Sequence, residues 1–302
     1  MPTEWDYIVD DNNALLEEAG GRYPPQRDPE TVALARYYRL TAGALVATAG
    51  RGTLSPRMRL PDGLGYRPRA RVRLTVPEAN QVFARRYAQG APRIGVLLGS
   101  TSGPHKHPEV SSWVKILAAI REAWPTVRFY VTGARRPAGG RTYTAGYSDQ
   151  AVDELLASGP DIVDCYDIGV WNQVALLQRC DVLVAPNAGF SLLAPCVGTP
   201  LLTIAGGDEV EFFFNGVPFA VVLPDTPGFP YPTQPYIGSR IPCMRPENLD
   251  RKIPEIVESL GLLLDPAFSY SAAVDRYAEH IRRANIRRSS VYLPSHPLLA
   301  DF

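Results

Sequence analysis

The central part of the chain alternates short apolar runs with longer amphipathic segments. From Arg93 onward, continuous apolar runs typical of buried strands are separated by segments that carry apolar residues at helical spacing. The predicted strands are 94–98, 127–131, 162–165, 182–185, 200–204 and 220–223, and the predicted helices between them are 111–124, 149–158, 170–179 and 190–197. Apolar strands joined by helices indicate an α/β fold with a doubly wound parallel sheet.

The segments on either side are less regular. The pattern predicts a strand at 7–10, helices at 14–19, 30–49 and 77–87, a proline-rich surface loop at 224–235, and helices at 246–264 and 270–288. Residues 50–76 are rich in Gly, Pro and Arg, and the alternating piece at 72–76 is either an edge strand or an extended linker. The change from this irregular pattern to the regular alternation, and back again, predicts boundaries between parts of the chain near residues 90 and 265.

Composition excludes several classes of protein. Hydrophobic residues make up 45% of the 302 positions and the formal net charge is +0, so the chain lacks the basic field of a nucleic-acid-binding protein. The four cysteines have no metal-binding or redox spacing and are interpreted as reduced core thiols. Neither a signal peptide nor an apolar run of about 18 residues is present, so we expect a cytoplasmic protein without an integral membrane segment.

The segment from Asp181 to Pro200 has the pattern of a strand that ends at a ligand. A buried-type strand runs into Asn187, Ala188, Gly189 and Phe190, and an apolar helix that stops at a glycine follows. In an open parallel sheet, ligands bind beyond the carboxyl ends of the strands, where amides at a helix start face an anion. An anion site is therefore predicted here; the alternative is a helix start that only packs against the sheet.

A second loop carries groups that suit a diphosphate. The strand ending at Leu98 leads into a loop, 99–108, whose Ser100, Thr101 and Lys106 offer hydroxyl donors and a positive charge. The lysine spacing differs from that of a Walker A motif. The alternative interpretation is a Ser/Gly turn whose lysine faces water.

Two histidines flank that lysine. Because the histidine side chain titrates near neutral pH in general, His105 or His107 could act as a general base or contact a phosphate. A metal site would need a third ligand, and none is evident nearby, so we predict no metal. The simpler interpretation, two surface histidines in a polar loop, is favoured.

Together these motifs resemble a known family. The 99–108 loop followed by Trp113, the strand ending Val131-Thr-Gly133, and the block 176–200 resemble the donor-binding lobe of glycosyltransferases with the two-lobed GT-B fold, in particular the heptosyltransferase-like family. The resemblance covers residues 93–225 and implies that Ser100 or Thr101 and Lys106 hold the diphosphate of a nucleotide sugar. The family pattern Asp-Ser/Thr-Gly-x-x-His is altered here, because its Asp, hydroxyl residue and His correspond to Asn187, Ala188 and Leu192.

The resemblance also implies positions for the rest of the donor and for the lobes. Tyr166 would stack on the base, and Asp208 or Glu209 would bind ribose or the donor sugar, although acids after Gly-Gly are as often turn residues. Residues 91–265 would form a Rossmann-like nucleotide-sugar-binding lobe and 1–90 a shortened acceptor-side lobe and linker. The helix within 266–302 would pack back on the first lobe.

In the family that the motifs resemble, early loops of the first lobe supply a carboxylate base, and by that resemblance we expect this loop to be missing here. Asp10 and Asp11, at the end of the first predicted strand, and His105 are the candidate bases. A shortened lobe with a different base, a late gene start, and a protein that binds nucleotide sugars without transfer remain open explanations.

The function expected from the resemblance is inverting, metal-independent transfer of a sugar, without a cofactor, from a nucleotide-diphosphate donor to a small-molecule or glycan acceptor hydroxyl in a bacterial pathway. The alternatives are a sugar-nucleotide epimerase or hydrolase, and a noncatalytic nucleotide-sugar-binding partner subunit. A partner subunit or homodimer is compatible with each of them.

Overall fold

The computed structural model describes residues 73–99, 107–135, 144, 146–186, 188–204, 215–222 and 244–283. All of them belong to one compact unit. The elements predicted before residue 73, the loop at 224–235 and the end of the last helix lie outside these residues. The division into lobes at residues 90 and 265 remains a prediction.

Within the described part of the chain, six parallel strands form one sheet. They are β1 (Arg93–Leu97), β2 (Arg128–Gly133), β3 (Ile162–Tyr166), β4 (Val182–Pro186), β5 (Leu201–Ile204) and β6 (Phe219–Val222). Their order across the sheet is β3-β2-β1-β4-β5-β6, and every neighbouring pair is parallel. This is the doubly wound order of Rossmann folds, so the α/β class and the doubly wound sheet predicted from the sequence are confirmed.

Helices cover both faces of the sheet. They are α1 (Glu78–Tyr87), α2 (Val110–Ala123), α3 (Asp149–Leu156), α4 (Val170–Leu177), α5 (Leu193–Cys196), α6 (Pro246–Leu249), α7 (Ile253–Leu264) and α8 (Tyr270–Arg283). Helices α2, α3 and α7 share one hydrophobic cluster with the sheet, and α1 and α4 share the other. Helix α8 packs on β6, with the Tyr277 ring 5.9 Å from that of Phe219. The predicted packing of this helix on the first lobe stays a prediction.

Burial on both faces explains why the strands are continuous apolar runs. Every residue of β4 and β5 is buried. Gly95 in β1 lets α4 approach closely, because a Cβ there would lie 2.9 Å from Leu177 Cδ2. The described residues 73–77 form no strand; they are held by the Leu74 amide, which donates to the Cys196 carbonyl at 2.9 Å.

The prediction of one regular helix at 190–197 is wrong. It consists of a 3₁₀ turn, Phe190–Leu192, followed by the one-turn helix α5, which contains Pro195. Proline has no amide hydrogen and is accommodated only in a first helical turn, so the segment cannot continue as one longer helix through that residue. The chain leaves α5 through Gly198, whose φ of 89° is in the left-handed region.

An ion pair holds β1 and β4 together at their amino ends. Asp181 accepts hydrogen bonds from the Arg93 backbone amide at 2.7 Å and from Arg93 Nη2 at 2.7 Å, and this bonding raises the pKa of Arg93. We expect Asp181→Ala to lower the free energy of unfolding by about 2 kcal/mol, measured by urea denaturation, because both donors lose a charged acceptor. Glu78→Ala, which removes the exposed partner of Arg85, should cost less than about 0.5 kcal/mol. Equal losses in the two variants would contradict this prediction.

Candidate functional site

The two segments predicted to hold a diphosphate leave the sheet side by side. β1 and β4 are hydrogen-bonded neighbours, with Val96 paired to Val184. Residues 99–107, predicted to be a loop and here called the β1 loop, follow β1 in the chain, and residues 187–190, here called the β4 turn, follow β4. The strand order reverses between β1 and β4, and the carboxyl ends at such a reversal border the crevice where doubly wound sheets bind ligands.

The other predicted donor residues also follow carboxyl ends of strands. Tyr166 is the last residue of β3, and Asp208 and Glu209 come after β5. Because all six strands are parallel, their carboxyl ends lie at one edge of the sheet, here called the carboxyl edge. Four separate predicted segments thus contain or follow a strand end at this edge.

Many predicted site residues lie outside the described part of the chain, and their roles stay predictions. These are Asp10, Asp11, Ser100, Thr101, His105, Lys106, Asn187, Asp208 and Glu209. Tyr166, Ala188, Gly189 and Phe190 are described, and they show how the β3 end and the β4 turn are built.

The β4 turn is closed by a serine. The Ala188 amide donates to Ser191 Oγ at 3.3 Å, and the Ser191 hydroxyl and amide donate to the Ala188 carbonyl at 2.7 and 3.0 Å. Gly189 has a φ of −55°, and a Cβ there would meet nothing within 4 Å, so open space lies beside it. Phe190 is half-buried against the α4 side of the core. The short α5 gives this turn a weaker dipole than the longer helix expected from the sequence.

Both ends of the β1 loop are held by one tyrosine. The Tyr147 hydroxyl lies 2.9 Å from the Leu98 carbonyl oxygen and also within hydrogen-bond distance of the Pro108 carbonyl oxygen. Trp113 Nε1 donates to the Leu98 carbonyl at 3.0 Å and lies 3.2 Å from the Tyr147 oxygen. Burial raises the pKa of Tyr147 far above its ordinary value, so the hydroxyl remains a donor at any physiological pH.

His107 is a correction to the sequence interpretation. It was expected on the surface, but its side chain is buried, 2% exposed, and its ring centroid lies 4.8 Å from that of Tyr147. A Cβ at Gly99 would lie 3.0 Å from the His107 ring and 2.9 Å from Tyr147, so glycine allows the loop to begin against these two rings. His107 is thus part of the packed base of the β1 loop.

Tyr166 is buried rather than presented to solvent. Its side chain is 7% exposed, the Arg135 guanidinium carbon lies 5.5 Å from the ring centroid, and a Cβ at Gly133 would be 2.6 Å from the ring. Burial raises the pKa of the phenol, and the nearby Thr144 hydroxyl and Arg135 charge oppose this shift. In this position the ring has little free surface on which a base could stack; its predicted role in base binding remains untested.

The side chain of Gln173 holds the carboxyl ends of β2 and β3. Its buried side-chain amide donates to the Gly133 carbonyl at 2.6 Å and to the Cys165 carbonyl at 2.9 Å. Sequence reasoning missed Gln173 and Tyr147, since both act on backbone groups distant in sequence. The only sequence signal for Gln173 was that this glutamine stands among apolar residues of a predicted helix.

The described residues contain neither a cluster of metal-binding side chains nor a helix that could span a membrane. Within the ranges given above, no three His, Cys, Asp or Glu side chains lie close enough together to hold a metal ion. None of the described helices is long and apolar enough to cross a membrane.

Similar solved structures are glycosyltransferases and an epimerase. ADP-heptose LPS heptosyltransferase II from E. coli is 18% identical with a TM-score of 0.46, covering 68% of this chain and 55% of that chain. A family 9 glycosyl transferase from Veillonella parvula is 14% identical with a TM-score of 0.39, covering 51% and 42%. UDP-GlcNAc 2-epimerase from Neisseria meningitidis is 12% identical with a TM-score of 0.37, covering 68% and 48%.

The chain spans about half the length of these proteins. No protein-family model matches the sequence, and no curated protein matches it. Heptosyltransferases are also the family that the sequence motifs resemble. Neither an activity nor a ligand follows from similarities at this level.

Proposed function

We propose that this protein binds a nucleotide-diphosphate sugar at the carboxyl edge of the sheet and transfers the sugar to an acceptor hydroxyl. The observation that carries the proposal is the pairing of β1 with β4, which starts the β1 loop and the β4 turn beside each other at the reversal of strand order. One segment contributes hydroxyls and a lysine and the other contributes small residues and an amide side chain, which suits a diphosphate.

In this proposal the protein stabilises the leaving diphosphate by charge and hydrogen bonds. Ser100, Thr101 and Lys106 supply hydroxyl donors and a cation, and the amides of Gly189 and Phe190 supply further donors from the β4 turn, where a Cβ at Gly189 would meet nothing within 4 Å. Asp10, Asp11 or His105 removes the proton of the acceptor hydroxyl as the new glycosidic bond forms. The reaction needs no metal, since Lys106 and the amides neutralise the developing charge, and it takes place in the cytoplasm.

Thermal shift with nucleotides tests donor binding. A panel of ADP, GDP, UDP and dTDP, each at up to 5 mM, should contain one nucleotide that raises the melting temperature. At a concentration one hundred times Kd, the stabilisation is about 2.7 kcal/mol, which corresponds to a rise of roughly 4 °C for a protein of this size. If none of the four raises the melting temperature, donor binding is refuted.

A lysine variant assigns that shift to the β1 loop. Lys106→Ala should remove more than half of the shift, because it removes the cation predicted to face the diphosphate. Lys252→Ala is the matched control: Lys252 pairs with Glu255 at 2.9 Å, at the start of α7, and its loss should leave the shift unchanged. Analysis of products from the corresponding nucleotide sugars then separates transfer from epimerisation and hydrolysis.

A further inference from the structure

Strand β3 lies at one end of the sheet, and its outer side has no strand partner among the described residues. The Asp167 amide, just after β3, donates to the Gly133 carbonyl of β2 at 3.2 Å. Because the backbone groups of successive residues alternate between the two sides of a strand, those of Ile162, Asp164 and Tyr166 point outward. Such an outer row of amides and carbonyls is a template on which a strand of another molecule can add.

Two of these three outward amides are already bonded within the chain. The Ile162 amide donates to the Gly159 carbonyl at 3.3 Å, and the Tyr166 amide donates to Asp164 Oδ1 at 2.9 Å. The second bond occupies the outward amide at the carboxyl end of β3 and places a carboxylate beside it. A strand that added here would have to displace this carboxylate or bury it, and burying an unpaired charge is costly.

A neighbouring arginine holds the carboxylate. Asp164 Oδ2 lies 4.0 Å from Arg135 Nη2, which is also 2.7 Å from Asp153 Oδ1. The Asp164 side chain is 53% exposed, so it has no part in the core. Aspartate is unfavourable in strands, yet here it stands at the centre of a strand whose other residues are apolar or aromatic. A charged residue at this position is typical of an edge that is protected from pairing.

We propose that Asp164 closes the outer edge of the sheet to strand addition, and that without this carboxylate a second copy of the chain pairs its own β3 with that edge. A second copy fits because two identical edges related by a two-fold axis run antiparallel and present the same outward groups to each other. Replacing Asp164 with valine frees the Tyr166 amide and makes β3 a continuous apolar run, which favours pairing between molecules.

Asp164→Val tests this inference without any nucleotide. Sedimentation equilibrium compares the variant with the wild type at protein concentrations of about 5–200 μM, a range in which unpaired strand edges associate. We expect the weight-average mass of the variant to rise with concentration to about twice that of the wild type, because each molecule gains an edge that can pair. Hydrogen exchange of the amides in residues 162–166 should be slower in the associated variant than in the wild type, since pairing between molecules protects them.

Asp153→Val is the matched control. The Asp153 side chain is 64% exposed and also pairs with Arg135, but it lies in α3 and not in a strand. This variant loses the same charge, gains the same apolar side chain and weakens the same arginine contact. Because it leaves the outer edge of β3 unchanged, its mass should equal that of the wild type at every concentration.

Three results would overturn the inference. The first is a wild-type mass for Asp164→Val over the whole concentration range. The second is equal association of Asp153→Val, which would show a general effect of an exposed apolar side chain. The third is association of Asp164→Val without slower exchange in residues 162–166, which would place the contact elsewhere. Should Asp164→Val not fold, Asp164→Ala, which removes the carboxylate and adds little apolar surface, must raise the mass in the same direction, and an unchanged mass overturns the inference.

Discussion

Replacing Trp113 with alanine is expected to lower the free energy of unfolding by about 4 kcal/mol, as measured by urea denaturation. The Trp113 side chain is fully buried between α2 and the sheet, in the cluster that includes Leu98 and Ile116. The substitution leaves a large cavity and also removes the indole donor to the Leu98 carbonyl. Since domains are commonly stable by only about 5–15 kcal/mol, this loss removes between roughly a quarter and four fifths of the stability.

Trp171→Ala provides the matched control for that prediction. Trp171 lies at the start of α4 and its side chain is 43% exposed, so truncation there leaves no enclosed cavity. Its cost should be less than about 0.5 kcal/mol. A similar cost for both tryptophans would contradict the assignment of Trp113 to the core.

The strands could be predicted from the sequence because burial on both faces makes them continuous apolar runs. The predicted strand 200–204 and the observed β5, Leu201–Ile204, every residue of which is buried, differ by one residue. These patterns do not predict the order of the strands across the sheet. An apolar run indicates that a strand is buried, but it does not indicate which strand lies beside it. Only the order shows that β1 and β4 are adjacent, and this adjacency carries the proposed site.

The helix errors have a common cause in proline. Apolar spacing predicted uninterrupted helices at 190–197 and 246–264, whereas the structure divides both. Pro195 lies in the first turn of α5, and Pro254 lies at the second position of α7, after the 3₁₀ turn Asp250–Lys252. A proline is favourable in the first turn of a helix and costly farther inside it. Each of these prolines therefore marks the start of a new helix, which the spacing of apolar residues does not show.

The supporting residues of the site were hidden from sequence reasoning because their partners are distant. The Tyr147 hydroxyl reaches a carbonyl 49 residues earlier in the chain, and the Gln173 amide reaches one 40 residues earlier. Local patterns such as small residues after a strand reveal where a loop offers donors. They do not reveal which side chains hold that loop, because this depends on the tertiary contacts of the whole sheet.

The free energy of unfolding is expected to fall steeply above pH 9. Burial raises the pKa of Cys165 to about 12 and raises those of Cys180, Tyr147 and Tyr166 above their ordinary values. In the unfolded chain, thiols ionise near pH 8.5 and phenols near pH 10, whereas the folded protein keeps these protons. The unfolded state therefore binds fewer protons, and stability is fully present below about pH 8 and is lost as pH rises toward the folded pKa values.

Each group that ionises only in the unfolded state contributes a slope of about 1.4 kcal/mol per pH unit. The two thiols give about 2.7 kcal/mol per unit between pH 9 and 10, and the two phenols roughly double that above pH 10. Urea denaturation at pH 7–11, with a reductant present, measures this slope. Cys180→Ala should reduce the slope between pH 9 and 10 by about a third to a half, because one of the two buried thiols is gone while the half-buried Cys196 thiol, whose pKa burial also raises, remains. A variant slope equal to that of the wild type would show that the Cys180 thiol does not titrate differently in the folded and unfolded states.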